Sequence, residues 1–301
     1  DMFSKRTIKP HREVTFVETA SEALALSIGE KARVDLPYMA RLTGRTQEEI
    51  INDLQGVIFK VPSSEPARYE TADEYLSGNV REKLKIAEIA AKADPELALN
   101  VSALEKVIPK DLPASEISVR LGTTWIPQED IQQFMMELLT PSSYAEGKLK
   151  VRYTPMNGDW FIENKSSDVG NVKADSTYGT KRASAYRIME DTLNLRDTRI
   201  FDYIYDEHGN KKAVLNHKET TAAQAKQEVI KQAFGDWIWK DPERRNRLVR
   251  YYNDTFNSIR PREYDGSHIT FGGISPEIKL RPHQVNAIAH ILYGGNTLLA
   301  H

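Results

Sequence analysis

Residues 280–301 read LRPHQVNAIAHILYGGNTLLAH, and this stretch decides how the chain is interpreted. Pro282 suits the first position of a helix, because the N–H that proline lacks would be unpaired there in any residue. The pair Gly294-Gly295 predicts the end of that helix, and residues 296–300 predict a short buried strand. One face of the predicted helix carries apolar residues at helical spacing, namely Val285, Ile288, Ala289 and Leu292.

The order Arg-Pro-His-Gln, helix, Gly-Gly and Leu-Leu-Ala resembles the start of a superfamily 2 helicase motor, particularly the Swi/Snf-type branch. In that family the glutamine, here Gln284, hydrogen-bonds the adenine of ATP, and Arg281 belongs to the same adenine region. The chain contains no G-x-x-x-x-G-K-[ST] phosphate loop. The resemblance therefore implies a fragment that is inactive alone, with ATP and Mg²⁺ bound only by the intact motor. An ordinary amphipathic helix before a core strand is the alternative.

The wider chain resembles the region that precedes the helicase in large helicase–DNA methyltransferase fusions of phages and mobile elements. Three stretches carry this resemblance, residues 34–40, 116–127 and 264–268, and none of them has an assigned chemical role. The resemblance implies two partners: double-stranded DNA bound without sequence preference, and the rest of the helicase–methyltransferase polypeptide.

Composition narrows the possible functions further. The 301 residues are 40% hydrophobic and 28% charged, with a net charge of -2, so any basic surface for nucleic acid must be local. Cysteine is absent, which excludes disulfides and thiolate chemistry and fits a cytoplasmic protein. The seven histidines lack metal-ligand spacing, and no triad pattern occurs, so we expect no catalytic residue, no metal site and no membrane span.

The sequence predicts an α+β protein that is predominantly helical. We expect a helix-turn-helix or winged-helix-like unit over residues 1–75, and a helical hairpin with a connecting strand and helix over 76–140. A small α+β domain with a basic helix should occupy 141–275, and the truncated start of a helicase ATPase domain 276–301. One small sheet, covered by the helices after Thr221, is expected from the regions of Ser118, Val151, Trp160, Phe201 and Ala213.

The first unit has two interpretations. Helix-turn-helix units bind DNA or act as protein–protein spacers. The second helix of this unit, residues 47–53, is acidic, which argues against reading the major groove and favours a spacer. Within the same unit, Asp35-Leu36-Pro37-Tyr38 is similar to the Asp-Pro-Pro-Tyr motif of DNA adenine methyltransferases, but it opens a helix rather than closing a strand.

The most concentrated basic surface is predicted on the helix from Glu243 to Phe256. Val249, Tyr252 and Phe256 are assigned to its inner side. Guanidinium groups on the outer side would suit phosphate contacts that carry no base preference. If local carboxylates pair with these groups instead, the region is an interdomain scaffold without DNA contact. The predicted DNA-binding residues are Arg244, Arg247, Arg250, Arg260 and Arg262.

Overall fold

The computed structural model describes residues 14–205, 210–270, 275, 277–294 and 297–298. The chain forms two compact units: unit 1 contains residues 1–111 and 254–301, and unit 2 contains residues 112–253. Helices predominate and the strands form small separate antiparallel pairs, which confirms the predicted α+β class. The predicted four-part division of the chain stays a prediction. In the described part of the chain, no helix is both long and apolar enough to cross a membrane.

Unit 1 begins with the predicted helix-turn-helix unit. Thr19 and Thr46 each accept a hydrogen bond from the backbone N–H three residues later, and a glutamate closes each capping box. The turn between the second and third helices uses Gly44 at φ 69°. The core contains Leu24, Met39 and Ile50. The elements are α1 (Ala20–Lys31), α2 (Leu36–Thr43), α3 (Gln47–Asp53) and the antiparallel pair β1 (Ile58–Lys60) and β2 (Tyr69–Thr71).

The predicted helical hairpin follows and is confirmed. Ala87 and Leu104 are fully buried between its two long helices, as the apolar spacing indicates. Phe59 and Tyr75 stack at 5.2 Å in the same core cluster. The elements are α4 (Ala72–Tyr75), β3 (Gly78–Asn79), α5 (Val80–Ala91) and α6 (Ala98–Val107).

Unit 2 has a core built from helices and one hairpin. Phe134, Trp160, Tyr186 and Phe234 are all buried there. Its elements are α7 (Gln128–Leu139), α8 (Ser143–Glu146), β4 (Lys150–Thr154), β5 (Asp159–Glu163), α9 (Ala185–Leu193), β6 (Phe201–Tyr205), β7 (Lys211–Leu215), α10 (His217–Ile238) and α11 (Pro242–Thr255), whose last two residues belong to unit 1.

The prediction of one small sheet is wrong. β4–β5 and β6–β7 are two separate hairpins, and Ser118 to Pro127 forms no strand. Turns interrupt that segment, because Gly122 adopts φ 101°, which is outside the range of a strand. Gly122 also lies so close to Leu193 that a Cβ on residue 122 would stand 2.5 Å from the Leu193 carbonyl oxygen. The sequence His208-Gly209-Asn210 predicts a turn in the second hairpin, and residues 208–209 of that turn lie outside the described residues.

The chain returns to unit 1 through β8 (Ile259–Arg260), which pairs antiparallel with β3, and through α12 (Pro282–Gly294). The predicted helix after Arg281 is thereby confirmed, including Pro282 at its first position. Of the predicted strand 296–300, the structure describes only residues 297–298, so that prediction falls outside the described residues.

Candidate nucleic-acid interface

The predicted outward position of Arg244 is wrong. Its side chain is only 6% exposed, and its Nε donates to Ile238 O at 3.0 Å while Nη2 donates to Trp237 O at 2.7 Å. The guanidinium carbon also lies 3.4 Å from the centroid of the Trp237 ring. Arg244 therefore satisfies carbonyl groups at the C-terminal end of α10, where helix carbonyls lack partners within the helix. It is a structural residue and has no free face for a phosphate.

The buried face of α11 differs from the predicted one. Leu248, one turn after Arg244, is 1% exposed and enters the core, whereas Phe256 is 52% exposed. Val249 and Tyr252 are half-buried. Arg244 and Leu248 therefore lie on the inner face of α11. A sequence pattern that places every arginine in solvent shifts the predicted inner face by about one residue.

The other predicted arginines keep exposed surface, and acidic side chains pair with at least three of them. Arg247 is half exposed and donates to the buried Asp130 Oδ1 at 2.6 Å. In unit 1, Arg260 pairs with Glu263 at 2.5 Å and donates to Leu76 O. Arg262 pairs with Asp73 at 3.5 Å and with Glu74 at 3.8 Å. Arg250 is exposed.

Helix α3 presents negative charge to solvent. Glu48, Glu49, Asn52 and Asp53 are all exposed. The Thr46 backbone N–H and hydroxyl donate to Glu49, and these two hydrogen bonds lower the pKa of this carboxyl. Carboxylates on this helix repel a phosphate backbone, so the geometry agrees with a spacer.

The helicase-like motif at residues 281–284 and the methyltransferase-like motif at residues 35–38 each form hydrogen bonds at the start of a helix. The Gln284 Oε1 accepts the Arg281 backbone N–H at 2.9 Å and so caps the start of α12. Both side chains are exposed. Asp35 is the N-cap of α2, where it accepts the Tyr38 N–H, and this bond lowers the pKa of its carboxyl.

The stretch 264–268, which had no assigned role, packs against α12. Tyr264 stacks on His290 with a centroid distance of 4.3 Å, and His268 Nε2 lies 2.9 Å from the Tyr293 hydroxyl. Gly266 approaches α12 so closely that a Cβ would stand 2.3 Å from Val285 O. These contacts border a cavity of about 870 Å³ in unit 1. The stretch acts as a clasp that holds α12 in place.

The clasp should weaken in mild acid. Burial lowers the pKa of His268 below 6.5, although the carboxylates of Asp265 and Asp73 partly oppose this. The unfolded chain therefore binds more protons between the lowered pKa and 6.5, so the free energy of unfolding should fall as pH falls through that window. Urea denaturation followed by circular dichroism should show this loss. His268→Gln should flatten the dependence of the free energy of unfolding on pH, and the substitution of an exposed histidine, His217→Gln, should leave that dependence unchanged. Equal pH dependences in the parent and both variants would contradict the role of His268.

An aromatic cavity in unit 2 was not found from the sequence. Trp125 stacks on Tyr251 at 6.4 Å, Tyr153 lies 4.7 Å from Trp160, and both pairs line a cavity of about 580 Å³ together with Arg247. Trp160 is 3% exposed, and its Nε1 has no acceptor among the described residues. These side chains come from four separate segments, and the only sequence signal was the unexplained stretch 116–127.

Two segments of the chain match known families. Residues 16–70 match the family described as "Probable helicase, winged helix domain", and residues 120–258 match a domain of unknown function, DUF8437. Neither match covers half of the chain. No curated protein and no solved structure matches it. The N-terminal helix-turn-helix unit is thus similar to the winged-helix domain of probable helicases.

Proposed function

We propose that this chain is an accessory region of a DNA helicase that touches DNA through unit 2. The observation that carries the helicase assignment is the similarity of residues 16–70 to the winged-helix domain of probable helicases, and the exposed arginines of α11 support the contact through unit 2. The acidic surface of α3 supports a spacer role for that unit, which leaves DNA contact to another surface.

Arg247 and Arg250 are the predicted arginines that best fit such a contact. Both are exposed on α11 in unit 2, and they are three residues apart, so they share one helical face. The ion pair with Asp130 occupies one amino group of Arg247, and the side chain is still 53% exposed. A guanidinium has five N–H donors, so a phosphate can bind the remainder. Arg260 and Arg262 are weaker candidates, since their side chains are only 23% and 41% exposed.

A finer proposal concerns the parent protein. We propose a superfamily 2, Swi/Snf-type motor fused to a DNA methyltransferase, in which Gln284 and Arg281 adjoin the adenine of ATP and Mg²⁺ assists hydrolysis. The cap at α12 is compatible with this role. The amide oxygen of Gln284 has a second lone pair for an adenine amino group, and its NH₂ can donate to a ring nitrogen.

Fluorescence anisotropy with labelled duplex and single-stranded DNA at several salt concentrations tests the proposed function. We expect binding without sequence preference that weakens with salt. The double variant Arg247→Ala/Arg250→Ala should reduce the slope of log affinity against log salt by about 0.7–0.9 for each phosphate that it no longer neutralises. The exposed Arg245→Ala removes one positive charge from the same helix, so it is the charge-matched control for each single variant, Arg247→Ala and Arg250→Ala, and it should change the slope less than either. Equal slopes in the double variant and the control would remove the two arginines from the interface.

A second function is a scaffold that holds domains together without touching DNA. The observation that favours it is the pairing of Arg247, Arg260 and Arg262 with carboxylates, together with the burial of Arg244. Absence of binding to either form of DNA at low salt would overturn the DNA proposal in favour of this one.

A further inference from the structure

We propose that the aromatic cavity of unit 2 binds an unstacked nucleobase of single-stranded DNA. The cavity is lined by Trp125, Tyr153, Trp160, Tyr251 and Arg247. This inference rests on the proposed contact between unit 2 and DNA, and it names the form of DNA and the group that is bound.

Trp160, which lines the cavity, has an unused hydrogen-bond donor. Its indole Nε1 is buried and has no acceptor among the described residues, which is unfavourable for a polar group removed from water. An exocyclic oxygen or ring nitrogen of a base would supply the missing acceptor. Arg247, which also lines the cavity, is held by Asp130 Oδ1 at 2.6 Å. The cavity is therefore lined by one residue with an unsatisfied donor, Trp160, and by one cation that an ion pair holds in position.

The size of the cavity and its aromatic walls also suit a nucleobase. A volume of about 580 Å³ lies within the usual range for sites that hold small organic groups. Tyr251 is 48% exposed while it stacks on Trp125, so an aromatic surface is open to a ligand. Bases of single strands stack on such surfaces, and each stack contributes about 1–3 kcal/mol.

The cavity also carries a positive charge that suits a phosphate. Arg247 lines the cavity and remains half exposed, so it can approach the phosphate attached to a base held inside. An alternative occupant, a methylated lysine side chain from a protein, would also suit aromatic walls. That ligand is cationic and cannot accept a hydrogen bond from Trp160, and it would meet Arg247. A nucleobase fits both groups better.

The test compares a thymine oligonucleotide with an abasic oligonucleotide of equal length and charge, each labelled and titrated with the full chain. We expect the base-bearing strand to bind about 5- to 150-fold more tightly, which corresponds to one to three kcal/mol of base stacking. Tyr251→Ala should lose most of this preference while binding the abasic strand as the parent does. Tyr144→Ala, which removes an exposed tyrosine on α8 outside the cavity, should keep the preference.

Trp160→Phe provides a second test, since it retains an aromatic ring and removes the N–H. Its preference for the base-bearing strand should fall while its circular dichroism spectrum matches the parent. Equal binding of the two oligonucleotides by the parent would overturn the cavity proposal and leave DNA contact standing. Binding to neither would overturn both. Displacement of the strand by a trimethyl-lysine peptide but not by free thymidine would assign the cavity to a protein partner.

Discussion

Replacing Gly122 by alanine should destabilise unit 2 by about 4 kcal/mol or more, the range of severe core disruptions. Gly122 adopts φ 101°, a conformation that disfavours any side chain, and its Cβ would stand 2.5 Å from the carbonyl oxygen of Leu193. Because the obstacle is backbone at the end of α9, relief requires the segment 118–127 or the helix itself to move.

Tryptophan fluorescence in a urea titration measures this effect selectively. All four tryptophans, Trp125, Trp160, Trp237 and Trp239, lie in unit 2. The matched control is Gly170→Ala, since Gly170 has φ 82° but open space where its Cβ would be, so conformational strain alone should cost about 1–2 kcal/mol. Similar losses in both variants would show that the close approach to Leu193 contributes nothing.

Arg244→Ala should destabilise unit 2 by about 2–4 kcal/mol, because two carbonyl groups at the end of α10 lose their hydrogen bonds to the guanidinium and only one of them, Trp237 O, keeps the Lys240 N–H that also binds it. The carbonyls are those of Ile238 and Trp237, and the guanidinium no longer stacks on the Trp237 ring. Arg245→Ala changes the same charge at the adjacent, exposed position and should stay within about 0.5 kcal/mol of the parent.

DNA binding separates this structural role from the predicted phosphate role of Arg244. Under conditions where the variant remains folded, the slope of log affinity against log salt should match that of Arg245→Ala. A stable Arg244→Ala protein with a distinctly flatter slope would restore Arg244 to the interface and contradict its buried position.

Local patterns predicted much of the fold. The capping boxes at Thr19 and Thr46, Gly44 in the turn, and the apolar spacing around Ala87 and Leu104 each act over a few residues, so they can be read from the sequence. The single sheet was predicted wrongly because strand pairing depends on distant contacts. Ser118 to Pro127 has apolar alternation, but its path is set by the approach of Gly122 to Leu193.

The candidate site was less predictable. Arginine is usually exposed, so sequence periodicity placed Arg244 outside; its burial depends on carbonyls of the preceding helix. The partner of Arg247 is Asp130, far away in the chain, and no spacing rule connects them. The aromatic cavity likewise joins residues near positions 125, 153, 160 and 251, which are distant in the sequence. The unpaired Nε1 of Trp160 can be identified only from the hydrogen bonds of the folded chain.

Photo-crosslinking gives the most direct test of where this chain meets DNA. A single-stranded oligonucleotide carrying 5-iodouracil is irradiated with the full chain, and the joined residues are mapped by mass spectrometry. We expect crosslinks at Trp125 and Tyr251 in unit 2, which Tyr251→Ala reduces and Tyr144→Ala does not. Crosslinks confined to α3 of the N-terminal helix-turn-helix unit, or to the hairpin residues Tyr203 and Tyr205, would contradict this assignment.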